Sequence, residues 1–585
     1  MKNIGITHQD PNSSGQVIKI LICLVLIALT HWVFDWYNNQ PQDVGLDVPV
    51  GKLMSLSFAP YRDGYSPIDN KFPLPEHIDA DMELLADKTQ TIRTYSVLGG
   101  MQPTPEFARK HGVDMILGGW LGDGHDGNRL EISELILTAN ANPDVVKRII
   151  VGNEVLLRHD MDVETLIAYI RQVKLAVKQP VSYADVWSIY LKYPQLINEV
   201  DFVTIHILPY WEDEPVSVEA APGYVEKIYN QVADKVIGMG LNKPILIGES
   251  GWPAAGRQRG LAVPGIVNAA TFIRGMIEVS NRNHFDYNIV EAFNQSWKSH
   301  HEGVAGANWG LMSADRQPVF PLTGAVIENP GWRLQFVYST LTWVGVLAVI
   351  FKRLQSLSLL RLLLFMVLGQ VFAIALTGLA HSLWMISYNQ WQRAYACAIF
   401  FSNALLAGWL LQRCYHILSV RPPALRLAKY LKVGYLFFML LALFKIYALA
   451  LNGRYLSFPT EQFVIPVFGV CGLILCRWVD RHEISFRAMG FNELAGGNRY
   501  SGADRLLAGL LCFGVLALLF GETCSFMLAD DFMQAHPVFI EGLPFALAYT
   551  LKNSQLLNWV LSVLMLALPW WVKSKTNVIA VNRAI

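Results

Sequence analysis

Two stretches, VGNEVLLR at residues 151–158 and LIGESGWP at residues 246–253, decide how this chain is read. Each sets one carboxylate, Glu154 or Glu249, just after a run of β-branched and aliphatic residues. Such runs form strands that are buried on both faces, as in a parallel sheet. In a (β/α)8 barrel the C-terminal strand ends carry the chemistry, so two glutamates placed there would face one pocket. Opposed carboxyl groups suit glycosidic bond cleavage: one protonates the leaving oxygen, the other attacks or stabilises the anomeric carbon.

Working outward, strand-like runs recur from residue 51 to 310 at the spacing of β/α units. They are KLMSLSFAPY, TIRTYSV, VDMILGGW, VKRIIVGNEV, QPVSYADVW, VDFVTIHILPYW, KPILIGESGWP and YNIVEAFNQSWK. Helical patterns fall between most of them, for example at 105–110, 163–177 and 264–281. The last opens on Pro264, which suits a first helical position. Eight alternating units predict a closed α/β TIM barrel, and no glycine-rich phosphate loop argues for an open doubly wound sheet.

The flanking composition is different. Hydrophobic residues reach 53 % of the 585-residue chain and charged ones only 16 %, which points to a membrane. With 47 basic and 47 acidic residues, nothing suggests a nucleic-acid partner. Residues 17–34 are about the minimum for a span and read as an uncleaved signal anchor, the alternative being a removed presequence. Seven further spans are predicted at about 336–351, 359–380, 394–411, 430–451, 463–479, 506–526 and 555–572. Positive charge gathers in alternate loops: Lys352, Arg353 and Arg361; Arg413, Arg421, Arg426, Lys429 and Lys432; Arg477, Arg481, Arg487, Arg499 and Arg505; then Lys573, Lys575 and Arg583. That pattern places both termini in the cytoplasm and the barrel outside. The expected organisation is a cytoplasmic 1–16, an anchor at 17–34, a catalytic domain over 38–330, a seven-helix bundle over 336–572 and a cytoplasmic tail at 573–585. All seven cysteines lie in or beside apolar spans, so the exported domain has no disulfide framework. A bacterial periplasm and inner membrane suit such a domain.

VGNEV, GESGWP, IRTYS and FNQSWKSHHEGVAGANWGLM together resemble glycoside hydrolase family 17, the β-1,3-glucanase and β-1,3-glucanosyltransferase group of a retaining (β/α)8 clan. The resemblance spans about residues 51–315, and with the apolar spans it is closest to the bacterial membrane-anchored type. It implies Glu154 as general acid/base, Glu249 as nucleophile, and Lys298 and Glu302 as holders of the active-site network. It also implies β-1,3-glucan as substrate. The apolar spans imply the bilayer as a partner, and the bundle is expected to anchor the barrel or dock a membrane glucan synthase; no metal or cofactor is expected. Two departures stand out. HILPYW puts His206 and Leu208 where the family has Asn and Tyr, leaving open which hydroxyl orients Glu249. Asn294 and Gln295 stand where an acid often precedes the lysine.

Further candidates are weighed against plainer roles. Asn153 could bond a sugar 2-hydroxyl. Arg93 could keep Glu249 ionised, or be a salt bridge at the barrel mouth. Tyr61, Tyr95 and Tyr210 could bond sugar hydroxyls or fill the barrel top. Of Trp120, Trp187, Trp211, Trp252, Trp297 and Trp309, about half are expected against glucan and the others in the core. His206 reads as structural, and Asp123, His125 and Asp126 as a solvated turn rather than a metal loop. Lys445 and Glu522, inside spans, read as snorkelling side chains, the alternative being an interhelical pair. Three functions remain in view: transglycosylation that elongates or branches β-glucan, endo-hydrolysis by the same residues, and non-catalytic glucan binding during export.

Overall fold

The computed structural model describes residues 13–481, 486–497 and 502–572. Lys2, Arg499, Lys573, Lys575 and Arg583, with the expected cytoplasmic tail, lie outside the described residues.

Eight parallel strands close into a barrel in sequence order: β1 Leu53–Ser57, β2 Thr89–Arg93, β3 Asp114–Gly119, β4 Val146–Asn153, β5 Val181–Val186, β6 Val203–His206, β7 Ile245–Ser250 and β8 Asp286–Ile289. Closure is made where Leu56 of β1 meets Ile289 of β8. The period-2 alternation of a strand explains how one run feeds two cores. Ile149, Val151, Ile245 and Ile247 point outward into the shell packed beneath the helices. Their neighbours Ile150 and Leu246 point inward, where with Ile116, Ala184 and Phe202 they form a separate small cluster. Above it the interior turns polar and is internally satisfied: Ser55 Oγ donates to Asn288 Oδ1 at 2.6 Å, Asn288 Nδ2 to Ser57 Oγ at 2.8 Å, and Thr204 Oγ1 to Ser182 Oγ at 2.8 Å.

Helices Pro75–Leu85, Thr104–His111, His125–Ala141, Val163–Ala176, Ala221–Gly238 and Ile266–Asn283 cover the outside, with two short helices between β5 and β6. The expected proline start needs correcting, because the last of these begins at Ile266 and Pro264 precedes it by two residues. What caps this helix is the Glu328 carboxylate, which accepts from the Ile266 and Val267 N–H groups at 3.0 and 2.9 Å. An anion there answers both the unpaired N–H groups and the positive end of the helix dipole. Asp123 precedes the first turn of His125–Ala141, and Asp126 pairs with Arg129 at 3.0 Å, as a solvated helix start would.

Among the described residues, eight helices are long and apolar enough to cross a membrane, and they coincide with the expected spans: Gly15–Asn38, Trp332–Leu354, Leu359–Met385, Gln390–Leu418, Leu425–Leu451, Thr460–Arg481, Ala503–Met527 and Ser554–Trp571. The first packs into the bundle of the others, with Lys19 Nζ donating to the Leu357 carbonyl at 2.8 Å. An unforeseen 14-residue helix, Phe539–Lys552, joins the last two. The strands leading into and out of the barrel are bridged at Gln42 and Val326, with backbone bonds of 2.8 and 2.9 Å. Glu522 corrects the snorkelling expectation: it is buried and ion-pairs with Arg257 of the barrel, whereas Lys445 lies 4.9 Å from the Tyr395 ring centroid.

Replacing Glu328 with Ala exposes the uncapped helix start. It should destabilise the barrel by about 1 kcal/mol, read as a lower midpoint in denaturant unfolding followed by tryptophan fluorescence.

Candidate active site

Glu154 follows β4 directly, in a left-handed conformation with φ 53°. Glu249 lies near the end of β7. Strict alternation from inward-facing Leu246 would turn Glu249 outward. The register instead shifts between Ile247 and Ser250 against β8, and beside His206 against β6. Such irregularities re-aim side chains at strand ends.

Three side chains tie the two glutamates together. Arg93, at the end of β2, reaches through the interior to donate to Glu249 Oε1 at 2.9 Å, to the Gly248 carbonyl at 2.7 Å and to Asn153 Oδ1 at 2.6 Å. His206, at the end of β6, sits between the carboxylates: Nδ1 is 2.8 Å from Glu154 Oε1 and Nε2 is 3.7 Å from Glu249 Oε1. The Arg93 guanidinium lies 4.7 Å over the Tyr95 ring, and the Tyr95 hydroxyl shares a 2.8 Å hydrogen bond with Ser57. That hydroxyl lies near Glu249 and favours its charged form. The plainer reading of His206 as structural understates it, since it is the one side chain within 4 Å of both glutamates among the described ion pairs.

A second network stands beside the first. Lys298 Nζ donates to Glu291 Oε1 at 2.8 Å, and Glu302 adds another buried carboxylate. Glu291, three residues before Asn294, supplies the acid that the sequence reading took to be missing. It was overlooked because it stands seven residues before Lys298 rather than next to it, across the turn that follows β8.

Electrostatics divide these acids by role. Burial opposes charge on Glu249, but His206, Arg93, the Tyr95 hydroxyl and Lys298 outweigh it and hold this carboxyl below its ordinary range. Glu291 is pushed up to about 7, by burial first and then by Glu302 and Glu249, against the pull of Lys298. Burial and the negative charges of Glu154 and Glu249 raise Glu302 as well. Asp185, buried beneath Glu154, rises to about 6. Lys298, despite burial, is held protonated by Glu291 and Glu302. The peripheral carboxyls of Glu291, Glu302 and Asp185 thus bind protons more readily than ordinary acids, while Glu249 binds its proton less readily.

Glu154, His206 and Glu249 each bring one ligand atom within 4.8 Å of the others, a spacing that could suit a metal ion. Arg93 already puts its guanidinium 2.9 Å from Glu249 and 3.4 Å from His206, so a second cation there would meet repulsion.

The aromatic candidates separate. Tyr61 and Trp297 face each other edge-on at 6.0 Å on the β1 and β8 side of the mouth. The Tyr61 hydroxyl is pushed up to about 12 by burial and by Glu131. Trp120 is 44 % exposed, with Arg158 4.4 Å from one face of its ring. Tyr210 and Trp252 correct the expectation of sugar contact. Both are buried: the Tyr210 hydroxyl donates to the Arg257 carbonyl and Trp252 Nε1 to the Val263 carbonyl at 2.9 Å. Trp211 stacks at 6.4 Å on the buried Trp309 and meets Tyr455 of the bundle edge-on at 5.7 Å. Strand-end position told these rings from the barrel bottom, but not the mouth from the layer packed behind it.

Residues 55–310 match the family model described as the BtgE/BtgC glycoside hydrolase domain. A glucan 1,3-beta-glucosidase of Arthroderma benhamiae is 27 % identical over 258 residues, 41 % of this chain and 82 % of that protein. One from Schizosaccharomyces pombe is 26 % identical over 260 residues, 40 % of this chain and 77 % of its own length. Among solved structures, an active-site mutant of Rhizomucor miehei beta-1,3-glucanosyltransferase in complex with laminaritriose is 27 % identical. It covers 46 % of this chain and 96 % of that chain, with a TM-score of 0.40. The barrel is thus similar in sequence to glycoside hydrolase domains of the BtgE/BtgC type.

Arg93→Leu removes one of the charges that hold Glu249 ionised. The acidic limb of kcat/KM should then move upward by roughly 1–3 pH units, because activity falls as Glu249 takes up a proton and that now happens at higher pH. Asp185→Asn tests the opposite sign. Native Asp185 binds its proton more tightly than the unfolded chain does, so it costs stability as pH rises from about 4 to about 6. The variant should flatten the fall in stability across that window in pH-dependent denaturation.

Proposed function

We propose that this protein is a membrane-anchored retaining transglycosylase that elongates or branches β-1,3-glucan. The observation that carries the reading is the short gap between the glutamates, whose facing oxygens lie within 4.8 Å. Retaining glycosidases hold their carboxyl groups about 5–5.5 Å apart, whereas inverting ones leave about 6.5–9.5 Å for a water between them. The short gap supports a double displacement, in which the second carboxylate attacks carbon itself.

Glu249, kept ionised by Arg93, His206 and Tyr95, bonds to the anomeric carbon as Glu154 donates a proton to the departing glycosidic oxygen. Glu154, now a carboxylate, takes the proton of an incoming hydroxyl, which displaces Glu249 from the anomeric carbon. If that hydroxyl belongs to a sugar the outcome is transfer; if it belongs to water the outcome is hydrolysis. Asn153 is fixed on Arg93 beside the sugar 2-hydroxyl, and Tyr61, Trp120 and Trp297 offer aromatic faces at the mouth. Lys298, paired with Glu291, keeps positive charge close to Glu249. Beta-1,3-glucan as substrate rests on the similarity to the two glucan 1,3-beta-glucosidases, which also favours hydrolysis as the second reading.

Domain limits of 38–330 for the catalytic unit and 336–572 for the bundle follow from where apolar helices replace β/α units. Eight candidate spans and positive charge in alternate loops support a multi-pass protein of a bacterial inner membrane. The barrel then lies on the periplasmic face with both termini cytoplasmic, beside a glucan synthase that supplies the chain.

Full-length protein in detergent, incubated with laminarioligosaccharides of one defined length, should yield products longer than the donor. Products that are exclusively shorter would overturn transfer in favour of hydrolysis. Glu249→Gln should lower turnover by roughly 10⁴-fold or more while leaving the fold intact.

A further inference from the structure

Two loops that build the site end in the helical bundle. The first follows Glu249. Its Arg257 is buried, ion-pairs with Glu522 of helix Gly502–Met527, donates to the Leu456 carbonyl at 2.8 Å and stacks 4.2 Å from the Phe458 ring. The next residue is held just as closely. The Gln258 N–H donates to Gln555 Oε1 at 2.8 Å, its Oε1 accepts from Ser554 Oγ at 2.7 Å, and its carbonyl accepts from Asn553 Nδ2 at 2.9 Å.

The second loop carries Glu302. Helix Ser299–Ala307 breaks at Gly303, with φ 67° and ψ −163°, and there the Tyr455 carbonyl fills the space a Cβ would need. On the same stretch of the bundle, Arg454 donates to the Trp211 carbonyl at 3.2 Å. Glu302 therefore sits over Gly306 of its own helix, one residue before the Gly303 that Tyr455 of the bundle presses against.

We propose that the bundle is a structural part of the catalytic centre. Glu522 and residues 453–458 act as positioning elements that fix the loop after Glu249 and the helix bearing Glu302. The inference rests on the glucan-cleaving reading of that centre. Its physical basis is that a buried ion pair adds little net stability, because desolvation offsets the attraction, yet it tolerates only one geometry. Placing such a pair, a guanidinium stack and a backbone-to-glycine contact within one joint fixes orientation more than it strengthens the fold. Loss of that orientation shows in turnover, since displacements of about 1 Å far from the chemistry can cost roughly 100-fold.

The test uses the full chain in detergent, turning over laminarioligosaccharides. Gly303→Ala drives a methyl group against the Tyr455 carbonyl, and Glu522→Ala removes the partner of Arg257. Both should lower kcat by about tenfold or more with KM little changed, while Glu522→Gln, which keeps a hydrogen bond to Arg257, recovers most of the loss. Hydrogen exchange in Glu522→Ala should rise at residues 253–260 and 299–307 but not in β1–β4. Wild-type kcat in both variants, or exchange in those two segments equal to wild type, overturns the proposal. If Glu522→Ala does not fold, Gly303→Ala alone decides. A wild-type protein that neither cleaves nor extends β-1,3-glucan would refute the functional reading instead, and the exchange measurement would still judge the coupling.

Discussion

Arg93 crosses the barrel from the end of β2 to β7 and, in one guanidinium, bonds the carboxylate of Glu249, the backbone beside it and the amide oxygen of Asn153. Two carboxylates less than 5 Å apart in a buried pocket repel each other strongly unless positive charge stands between them. Arg93 provides it, while the His206 ring lies between the two carboxylates from another strand that the closed sheet brings to the same mouth. The glycine at position 248 fits this arrangement, because its carbonyl accepts from Arg93 and its bare Cα leaves room for the neighbouring strand. A Cβ at Gly248 would run into Thr204 and the His206 ring. Remove the guanidinium and Glu249 loses one of the charges that hold its carboxyl below the ordinary range.

The rest of the pocket handles its surplus charge in a different way. Glu291, Glu302 and Asp185 all have raised proton affinities because they are buried near Glu154 and Glu249. Lys298 counters Glu291 directly and contributes to Glu249 from further away. The site thus separates one carboxylate kept charged from several that share protons nearby. That arrangement suits a reaction in which one acid must attack carbon and another must shuttle a proton.

Much of this fold was legible before any coordinates, for a physical reason. Parallel strands buried on both faces leave near-continuous apolar runs, and all eight runs became strands, although each strand is shorter than its run. Apolar spans are equally plain, because lipid-length helices tolerate few charges. The site was only half legible. Glu154 and Glu249 stood out by position, and Arg93 by its neighbours. His206 looked structural, since nothing in HILPYW says that its ring falls between two carboxylates brought from β4 and β7. Glu291 hid behind the length of the turn after β8. Tyr210 and Trp252 share the strand-end position of true mouth residues, and only packing against the neighbouring layer buries them. Arg257 and Glu522, 265 residues apart, had no local signature at all.

The central claim is that Glu154 and Glu249 act on one anomeric centre at the short separation of a double displacement. Proton NMR of the first products released from a β-1,3-linked oligosaccharide, before mutarotation, tests it most directly. The account predicts the β anomer at the newly formed reducing end. Initial release of the α anomer would mean single displacement by water, and would contradict the geometry assigned to this pair.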